Sequence, residues 1–211
     1  NMLIGFFMGI STGAGVVIAQ FFGAGNTCKM KRAIHNSIAL TLVMGVVLTI
    51  VGLLFNDPIL KAIGVPSEVF SEASTYLSIY FWSLIFVMVY NMGSGILRSV
   101  GDSKRPLYFL IFSSVVNIIL DFLFVKYFHF GVAGAGYATL IAQAISAIMV
   151  MYVLMKTEDT YKVVLKDIKF DKEILLKIIK IGLPTGFQQS IVSLSNVIVQ
   201  SYINVYGASV I

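Results

Sequence analysis

Apolar runs of roughly 20 residues recur along the chain, and short polar segments separate them. A helix needs about 20 residues to cross a hydrocarbon core of about 30 Å, because each residue adds about 1.5 Å. No run shows the alternating segments of about ten residues that are typical of membrane β-barrels, so the predicted fold is all-α. We therefore predict six transmembrane helices, at residues 2–22, 34–55, 74–97, 107–128, 134–155 and 182–205.

The composition favours a polytopic transmembrane helix bundle over a soluble domain. Of 211 residues, 58% are hydrophobic and 12% are charged, whereas soluble domains carry about 25% charged residues. The chain starts inside an apolar run with no basic segment before it, which is not typical of a signal peptide. Since neither end has a helix cap, we expect a fragment of a longer protein. The single cysteine, Cys28, cannot form an internal disulfide, and we assign it no role.

Basic residues concentrate in alternate connections between the predicted helices. Thirteen of the fifteen Lys and Arg residues lie around positions 26–33, 98–105 and 156–180, and only Lys61 and Lys126 lie in the connections between these. By the positive-inside rule the three basic connections are cytoplasmic, which predicts a multi-pass protein of the plasma or inner membrane. The net charge of +5 is then a signal of topology. We expect membrane lipids as partners, and no nucleic acid.

The connection at residues 156–181 differs from the others because part of it is amphipathic. Its two faces consist of apolar Ile174, Leu175, Ile178 and Ile179 and of charged Lys172, Glu173, Lys177 and Lys180. This spacing predicts a helix that lies in the cytoplasmic interface and joins two bundles. A solvated linker is the alternative.

One acidic residue lies within a predicted transmembrane helix, and the other nine lie in connections. This residue is Asp121. Because a charged side chain at a helix centre costs about 2.5–3.5 kcal/mol on insertion scales, we expect Asp121 to face protein or water. Asn117 and Ser113 precede it by one and two helical turns and project from the same side. Together they offer the oxygen ligands that hard cations use, or a proton site. A hydrogen-bonded clasp between helices is the alternative for Asn117 or Ser113.

Polar stripes on three other predicted helices indicate a wet cavity, although interhelical packing could explain any one of them. The stripes are Tyr76, Tyr80, Ser83, Tyr90, Asn91 and Ser94; Thr139, Gln143 and Ser146; and Gln189, Ser193, Asn196, Gln200 and Asn204. Glycines recur every fourth position, which predicts close helix approach. They are Gly5, Gly9 and Gly13 in the first helix and Gly182 and Gly186 around Pro184, where we expect a kink.

Five motifs, in order, carry a resemblance to a known family: "AQFFGAGN" at 19–26, "GILRSVGDSKRP" at 95–106, "NIILDFLF" at 117–124, "GVAGAGYATLIAQ" at 131–143 and "GLPTGFQQS" at 182–190. The set resembles the multidrug and toxic compound extrusion (MATE) transporters, which belong to a larger group that includes lipid-linked oligosaccharide flippases. The resemblance implies two six-helix lobes around a V-shaped cavity, with rocking alternation of access. The chain would then cover about the second to seventh transmembrane helices.

The resemblance also implies a domain division and roles for individual residues. Residues 1–155 would be amino-terminal-lobe helices without the first one, 156–181 the inter-lobe linker, and 182–211 the first helix of the carboxy-terminal lobe. Asn117, Asp121 and Thr139 resemble the family's cation-coupling residues, with the ion, H⁺ or Na⁺, undecided and no other cofactor expected. The expected substrates are amphipathic, often cationic drugs, and the expected protein is a monomer. Candidate cavity residues are Tyr76, Tyr80, Tyr90, Asn91, Gln143, Gln189 and Asn196.

Two other functional classes fit the sequence less well. A flippase for a lipid-linked precursor would hold pyrophosphate with cations, and no predicted transmembrane helix has a central Lys or Arg. An intramembrane enzyme would need a metal or nucleophile set at depth. His35 lies at a loop margin and His129 near the outer interface, so we expect no catalytic residues and no enzyme. A non-transporting scaffold stays a further alternative.

Overall fold

The computed structural model describes residues 2–205, and all of its described regular structure is helical. A turn of π-helix, Leu123–Tyr127, continues the fifth helix, and a short 3₁₀ turn, Leu165–Asp167, lies before the seventh. The predicted positions Gly5, Gln200 and Asn204 fall where side-chain surroundings are not described. The helices are α1 (Met2–Gly23), α2 (Thr27–Leu54), α3 (Asn56–Ala62), α4 (Phe70–Ser99), α5 (Lys104–Phe122), α6 (Gly131–Lys156) and α7 (Lys172–Val205).

Four helical segments of the described chain are long and apolar enough to cross a membrane: Thr27–Leu54, Phe70–Ser99, Lys104–Tyr127 and Gly131–Lys156. They match four of the six predicted transmembrane helices. The remaining two predicted ranges, 2–22 and 182–205, fall within α1 and α7. The prediction of an all-α transmembrane helix bundle is therefore confirmed.

The helix α2 begins seven residues before the predicted transmembrane range of 34–55, because a side-chain cap starts it there. The Asn26 side chain accepts a hydrogen bond from the Lys29 backbone N–H at 3.0 Å, so α2 begins at Thr27. Lys29, Lys31 and Arg32, which were expected in a connection, thus belong to the first turns of α2. The short helix α3, in the following connection, was not predicted.

The structure does not separate the amphipathic part of the linker from the last predicted transmembrane helix. Both belong to α7, which runs without interruption from Lys172 through Pro184. Asp171 caps the start of α7, since its Oδ1 accepts hydrogen bonds from the backbone N–H groups of Glu173 and Ile174 at 3.1 and 3.3 Å. The helix is still continuous at Gly182. The boundary between linker and carboxy-terminal lobe expected between residues 181 and 182 therefore does not coincide with a helix end.

Glycines bring α1 and α7 into backbone contact, as predicted from their spacing. A Cβ added at Gly9 would lie 2.2 Å from the Gly186 Cα, and one at Gly13 would lie 2.5 Å from the Gly182 Cα. No real Cβ atom tolerates such distances, so only glycine permits this approach. Because the lower-numbered partner in α1 meets the higher-numbered one in α7, the two helices run antiparallel.

The hydrophobic core lies at one end of the bundle, where α1, α4 and α6 end and α2 and α7 begin. We call this the basic end, because the connections around residues 26–33, 98–105 and 156–180 lie there. Fully buried side chains from five helices meet in this core: Ile18, Met30, Ile34, Ile96, Leu97, Val150, Leu154 and Ile178. Linker residues Tyr161 and Val163 are buried in it as well.

Candidate functional site

The candidate coupling residues lie on the protein-facing side of α5. Phe109 and Ser113 are buried, and Asn117 and Asp121, one and two turns further along, are half-buried. Ile118, Ile119 and Phe122 are exposed on the opposite side of the helix. The Asp121 side chain is therefore directed toward the protein, which agrees with the expectation that it does not face lipid.

Two polar atoms on this stripe are buried without a hydrogen-bond partner in the described part of the chain: Oδ1 of Asp121 and Nδ2 of Asn117. The Ser113 hydroxyl donates to the Leu110 carbonyl of its own helix at 3.1 Å. Burying a polar atom without a hydrogen-bond partner is costly, so this position calls for a further partner or ligand. Rotation of the Asn117 side-chain amide by about 180° exchanges its N–H₂ group and its oxygen, so either one can face the buried side of α5. The role of this pair as a proton or cation site stays a prediction.

Thr139, the third predicted coupling residue, is half-buried in α6, which packs along α5. Gly134 of α6 lies close to Phe124, in the turn that continues α5, since a Cβ added at Gly134 would lie 3.1 Å from the Phe124 Cβ. The structure thus places Thr139 on the helix adjacent to Asp121. Its participation in one site with Asp121 and Asn117 stays a prediction.

A turn of π-helix follows Asp121 almost directly. In this turn the Phe128 N–H bonds to the Leu123 carbonyl, five residues back, at 3.0 Å. Such turns are frequent at functional sites. The sequence "LFVKY" contains neither proline nor glycine, and its apolar pattern fits an ordinary α-helix equally well, so the sequence analysis missed this feature.

A cavity of about 320 Å³ lies between α1 and α4. Ser11, Thr12, Asn91 and Ser99 give it polar groups, and Arg98 lines it in the last turn of α4. The amide of Asn91 donates to the Val87 carbonyl at 2.9 Å. A second, smaller cavity shares Met8, Ser11 and Asn91 and extends toward α2. Asn91 therefore lines both of these pockets, the first of which is open to the surface, and its role in binding a substrate stays a prediction.

The structure does not place the other predicted cavity residues around this space. Tyr90 instead links α4 to α5, because its hydroxyl donates to the Pro106 carbonyl at 2.9 Å. Tyr80 and Gln143 are half-buried in α4 and α6, whereas Tyr76 of α4 and Gln189 and Asn196 of α7 are exposed. A common cavity for these residues stays a prediction.

The sequence analysis missed a polar row at the start of α2 that binds the linker before α7. Asn36 donates through Nδ2 to the Asp171 carbonyl at 2.7 Å, and Arg32 forms an ion pair with the Asp171 carboxylate. His35, expected at a loop margin, is buried within α2 and accepts a hydrogen bond from the Val164 N–H at 3.0 Å. The spacing of three and four residues on one helix face was the available signal.

The electrostatics of Asp171 favour its charged form. Partial desolvation raises the pKa of this carboxyl, but the hydrogen bond from the Ile174 N–H and the charge of Arg32 outweigh that effect. The net pKa lies below the ordinary value of an aspartate. Asp171 is thus an anion near neutral pH, both as the cap of α7 and as the partner of Arg32.

Comparison with known proteins identifies the family, because the MatE family model matches residues 1–123 of the chain. The chain belongs to the MatE family. Other MatE proteins extend the similarity over its whole length. It is 34% identical, over 99% of its residues, to the "Probable multidrug resistance protein YoeA" of Bacillus subtilis (strain 168) and covers 46% of that protein. It is 29% identical, over 92% of its residues, to the "Multidrug export protein MepA" of Staphylococcus aureus (strain N315) and covers 43% of it.

Solved MatE structures share the fold. A crystal structure of a MATE protein in complex with MaD3S matches 99% of this chain with a TM-score of 0.89 and 30% identity, and the chain covers 47% of that protein. The chain therefore spans about half the length of the MatE relatives it matches. Other matched structures are described as MATE family transporters, and the apolar helices of this chain agree with a polytopic membrane protein.

Proposed function

We propose that the protein containing this chain is a secondary active antiporter that exports amphipathic, often cationic drugs or toxic compounds in exchange for H⁺ or Na⁺. One observation carries the proposal. Asp121 and Asn117 are half-buried one helical turn apart, and each has a buried polar atom without a partner among the described residues. A structural clasp would satisfy these atoms with a neighbouring helix. A coupling site instead exchanges its partner during each cycle.

The mechanism is a shift between two conformations and involves no covalent chemistry. Binding of H⁺ or Na⁺ neutralises Asp121. In apolar surroundings the neutral form has a lower free energy of burial than the charged carboxylate. The ion therefore favours whichever conformation buries Asp121 more completely. Substrate binding in the central cavity favours the other conformation, and this difference in affinity couples the two fluxes.

The substrate class is supported by relatives and by the cavity. The matched proteins are named for multidrug resistance and multidrug export. The cavity between α1 and α4 combines apolar Met8 and Val16 with the amide of Asn91, a mixture that suits amphipathic molecules. We place the protein in the cell membrane as a monomer with its basic end in the cytoplasm, where Lys and Arg residues contact anionic lipid headgroups.

The Asp121→Asn variant of the complete protein tests the proposal. We expect drug transport into vesicles driven by a proton or sodium gradient to fall to background, because Asn cannot exchange a proton or supply a negative charge. Glu68→Gln is the matched control, since Glu68 is an exposed carboxylate in the connection before α4. Wild-type transport by Asp121→Asn, at equal insertion into the vesicles, would refute the role of Asp121. Comparison of the two gradients in the wild-type protein identifies the ion.

A flippase for a lipid-linked precursor is the second candidate, and Arg98 favours it. Its guanidinium lines the end of the cavity between α1 and α4 and could bind a phosphate. A single exposed cation is weaker support than the buried acid. Flipping of a fluorescent lipid-linked phosphate by the complete protein, abolished in Arg98→Gln, would favour the flippase.

A further inference from the structure

His35 of α2 is buried, with 6% of its surface exposed, and both nitrogens of its ring are engaged. Nδ1 lies 2.7 Å from the Lys31 carbonyl oxygen, and Nε2 lies 3.0 Å from the Val164 backbone nitrogen. A carbonyl only accepts, so Nδ1 carries the hydrogen. The Val164 N–H only donates, so Nε2 must be unprotonated. The contacts therefore require the neutral imidazole with its hydrogen on Nδ1.

Protonation of His35 would place a hydrogen on Nε2, facing the Val164 N–H. The hydrogen bond to the linker would be lost, because an imidazolium has no acceptor. The cavity beside His35 is lined by more cationic than anionic side chains. Arg32 is paired with Asp171, which leaves Lys31 and Lys169 facing Asp167, with the Cys28 thiol beside them. A protonated His35 would therefore have no excess of carboxylates, among the described residues that line this cavity, to stabilise its positive charge.

His35 makes the middle one of three polar attachments of the linker to the bundle, and Ile168 of the linker packs against the core as well. The first is the hydrogen bond from the Val163 N–H to the Leu154 carbonyl at 2.8 Å, with Val163 buried. The third is the hydrogen bond from Asn36 and the ion pair from Arg32, both to Asp171. Of the three, only the His35 attachment depends on an imidazole nitrogen as the acceptor, and protonation removes such an acceptor.

We propose that His35 is a pH-responsive latch on the linker between α6 and α7. In its neutral form it binds residues 164–170 to the start of α2. In its protonated form it releases the Val164 N–H from α2 while the other attachments persist. The inference rests on the hydrogen-bond geometry of His35 alone, and it does not depend on which ion or substrate the protein transports.

Amide hydrogen exchange in the complete protein, reconstituted in nanodiscs, tests the latch. Rates at about pH 5.5 and 7.5 are corrected for the intrinsic pH dependence of exchange. In the wild type we expect protection of the Val164 amide to fall about fivefold or more at the lower pH. In His35→Gln, whose side-chain oxygen accepts at both pH values, protection should not change. In His35→Leu, which has no acceptor, protection should be low at both.

The Ile174 amide is the internal control, because its partner is the Asp171 carboxylate. A carboxyl whose pKa is lowered by folding stabilises the fold above its unfolded pKa, and this contribution is lost only as pH falls through the lower, folded value. The cap thus persists at both pH values, and Ile174 should stay protected. Equal corrected protection of Val164 at both pH values in the wild type would overturn the latch. The same pH response in His35→Gln would overturn it too, and this comparison decides the question even where His35→Leu does not fold.

Discussion

Asn36 and Asn117 are both asparagines inside membrane helices, and their amide nitrogens differ in hydrogen-bond status, although the Asn36 Oδ1 also lacks a partner among the described residues. The Asn36 Nδ2 donates to the Asp171 carbonyl at 2.7 Å and thereby connects α2 to the chain just before α7. The Asn117 Nδ2 is buried without a partner among the described residues. Residue type and helical spacing do not distinguish the two roles, because the partner of Asn36 lies 135 positions away in the sequence.

The two asparagines allow a matched test of function against stability. Asn36→Leu removes the donor to a backbone carbonyl, so we expect the free energy of unfolding to fall by about 1–3 kcal/mol. Asn117→Leu replaces an unsatisfied amide with an apolar group of similar size, so stability should be unchanged or higher while drug transport is lost. Thermal unfolding in detergent and vesicle transport measure the two effects. A loss of stability in Asn117→Leu equal to that in Asn36→Leu would identify Asn117 as a structural residue.

At the scale of helices, the sequence predicted what depends on hydropathy and missed what depends on caps. The central part of each transmembrane helix follows from its apolar run. The starts of α2 and α7 depend instead on hydrogen bonds from backbone N–H groups to the side chains of Asn26 and Asp171. The π-helical turn after Asp121 has no sequence signature at all. The glycine crossing was predictable because every fourth residue lies on one helix face.

The crossing of α1 and α7 should be sensitive to a single methyl group. In Gly13→Ala the added Cβ would lie 2.5 Å from the Gly182 Cα, and backbone cannot move aside as a flexible side chain can. We expect the free energy of unfolding to fall by about 1–3 kcal/mol, as in other overpacked interiors. Gly95→Ala is the control, because the closest atom to its Cβ would be the Ser11 carbonyl oxygen at an ordinary 3.7 Å.

Unfolding of both glycine variants in detergent, monitored by tryptophan fluorescence, gives the comparison. Gly95→Ala should be neutral or stabilising, since alanine favours a helix over glycine by about 1 kcal/mol. The same gain opposes the clash in Gly13→Ala, so a measured loss there is a lower limit for the cost of the contact. Equal stability of the two variants would mean that α1 and α7 can separate at no cost.

At the scale of the whole molecule, charge and burial indicate the same end of the bundle. Thirteen of the fifteen cationic residues lie at the basic end, and the buried core and the docked linker lie there too. Composition was enough to predict the fold class, whereas the orientation indicated by the charge alternation stays a prediction. The docking of the linker was not predictable, because His35 and Val164 lie 129 positions apart and no local pattern joins them.

Thiol labelling tests the orientation with residues that the chain already offers. Cys28 is exposed at the basic end, and Lys126 is exposed in the π-helical turn at the other end of α5. In a background without other cysteines, we expect Cys28 to react with a membrane-impermeant maleimide only after cells are permeabilised. A Lys126→Cys, Cys28→Ser variant should react in intact cells.

The two labelling results constrain each other, because α5 crosses the membrane once between the basic connection at residues 98–105 and Lys126. Reaction of both positions from the same side would contradict the predicted crossing of the membrane. Reaction of Cys28, and not of the Lys126→Cys variant, in intact cells would invert the orientation. In that case Asp121, which lies about one helical turn from Lys126, would be nearer the cytoplasm, and the ion would have to reach it from that side. The assignment of an inward ion flux to Asp121 therefore depends on the sidedness that these two thiols report.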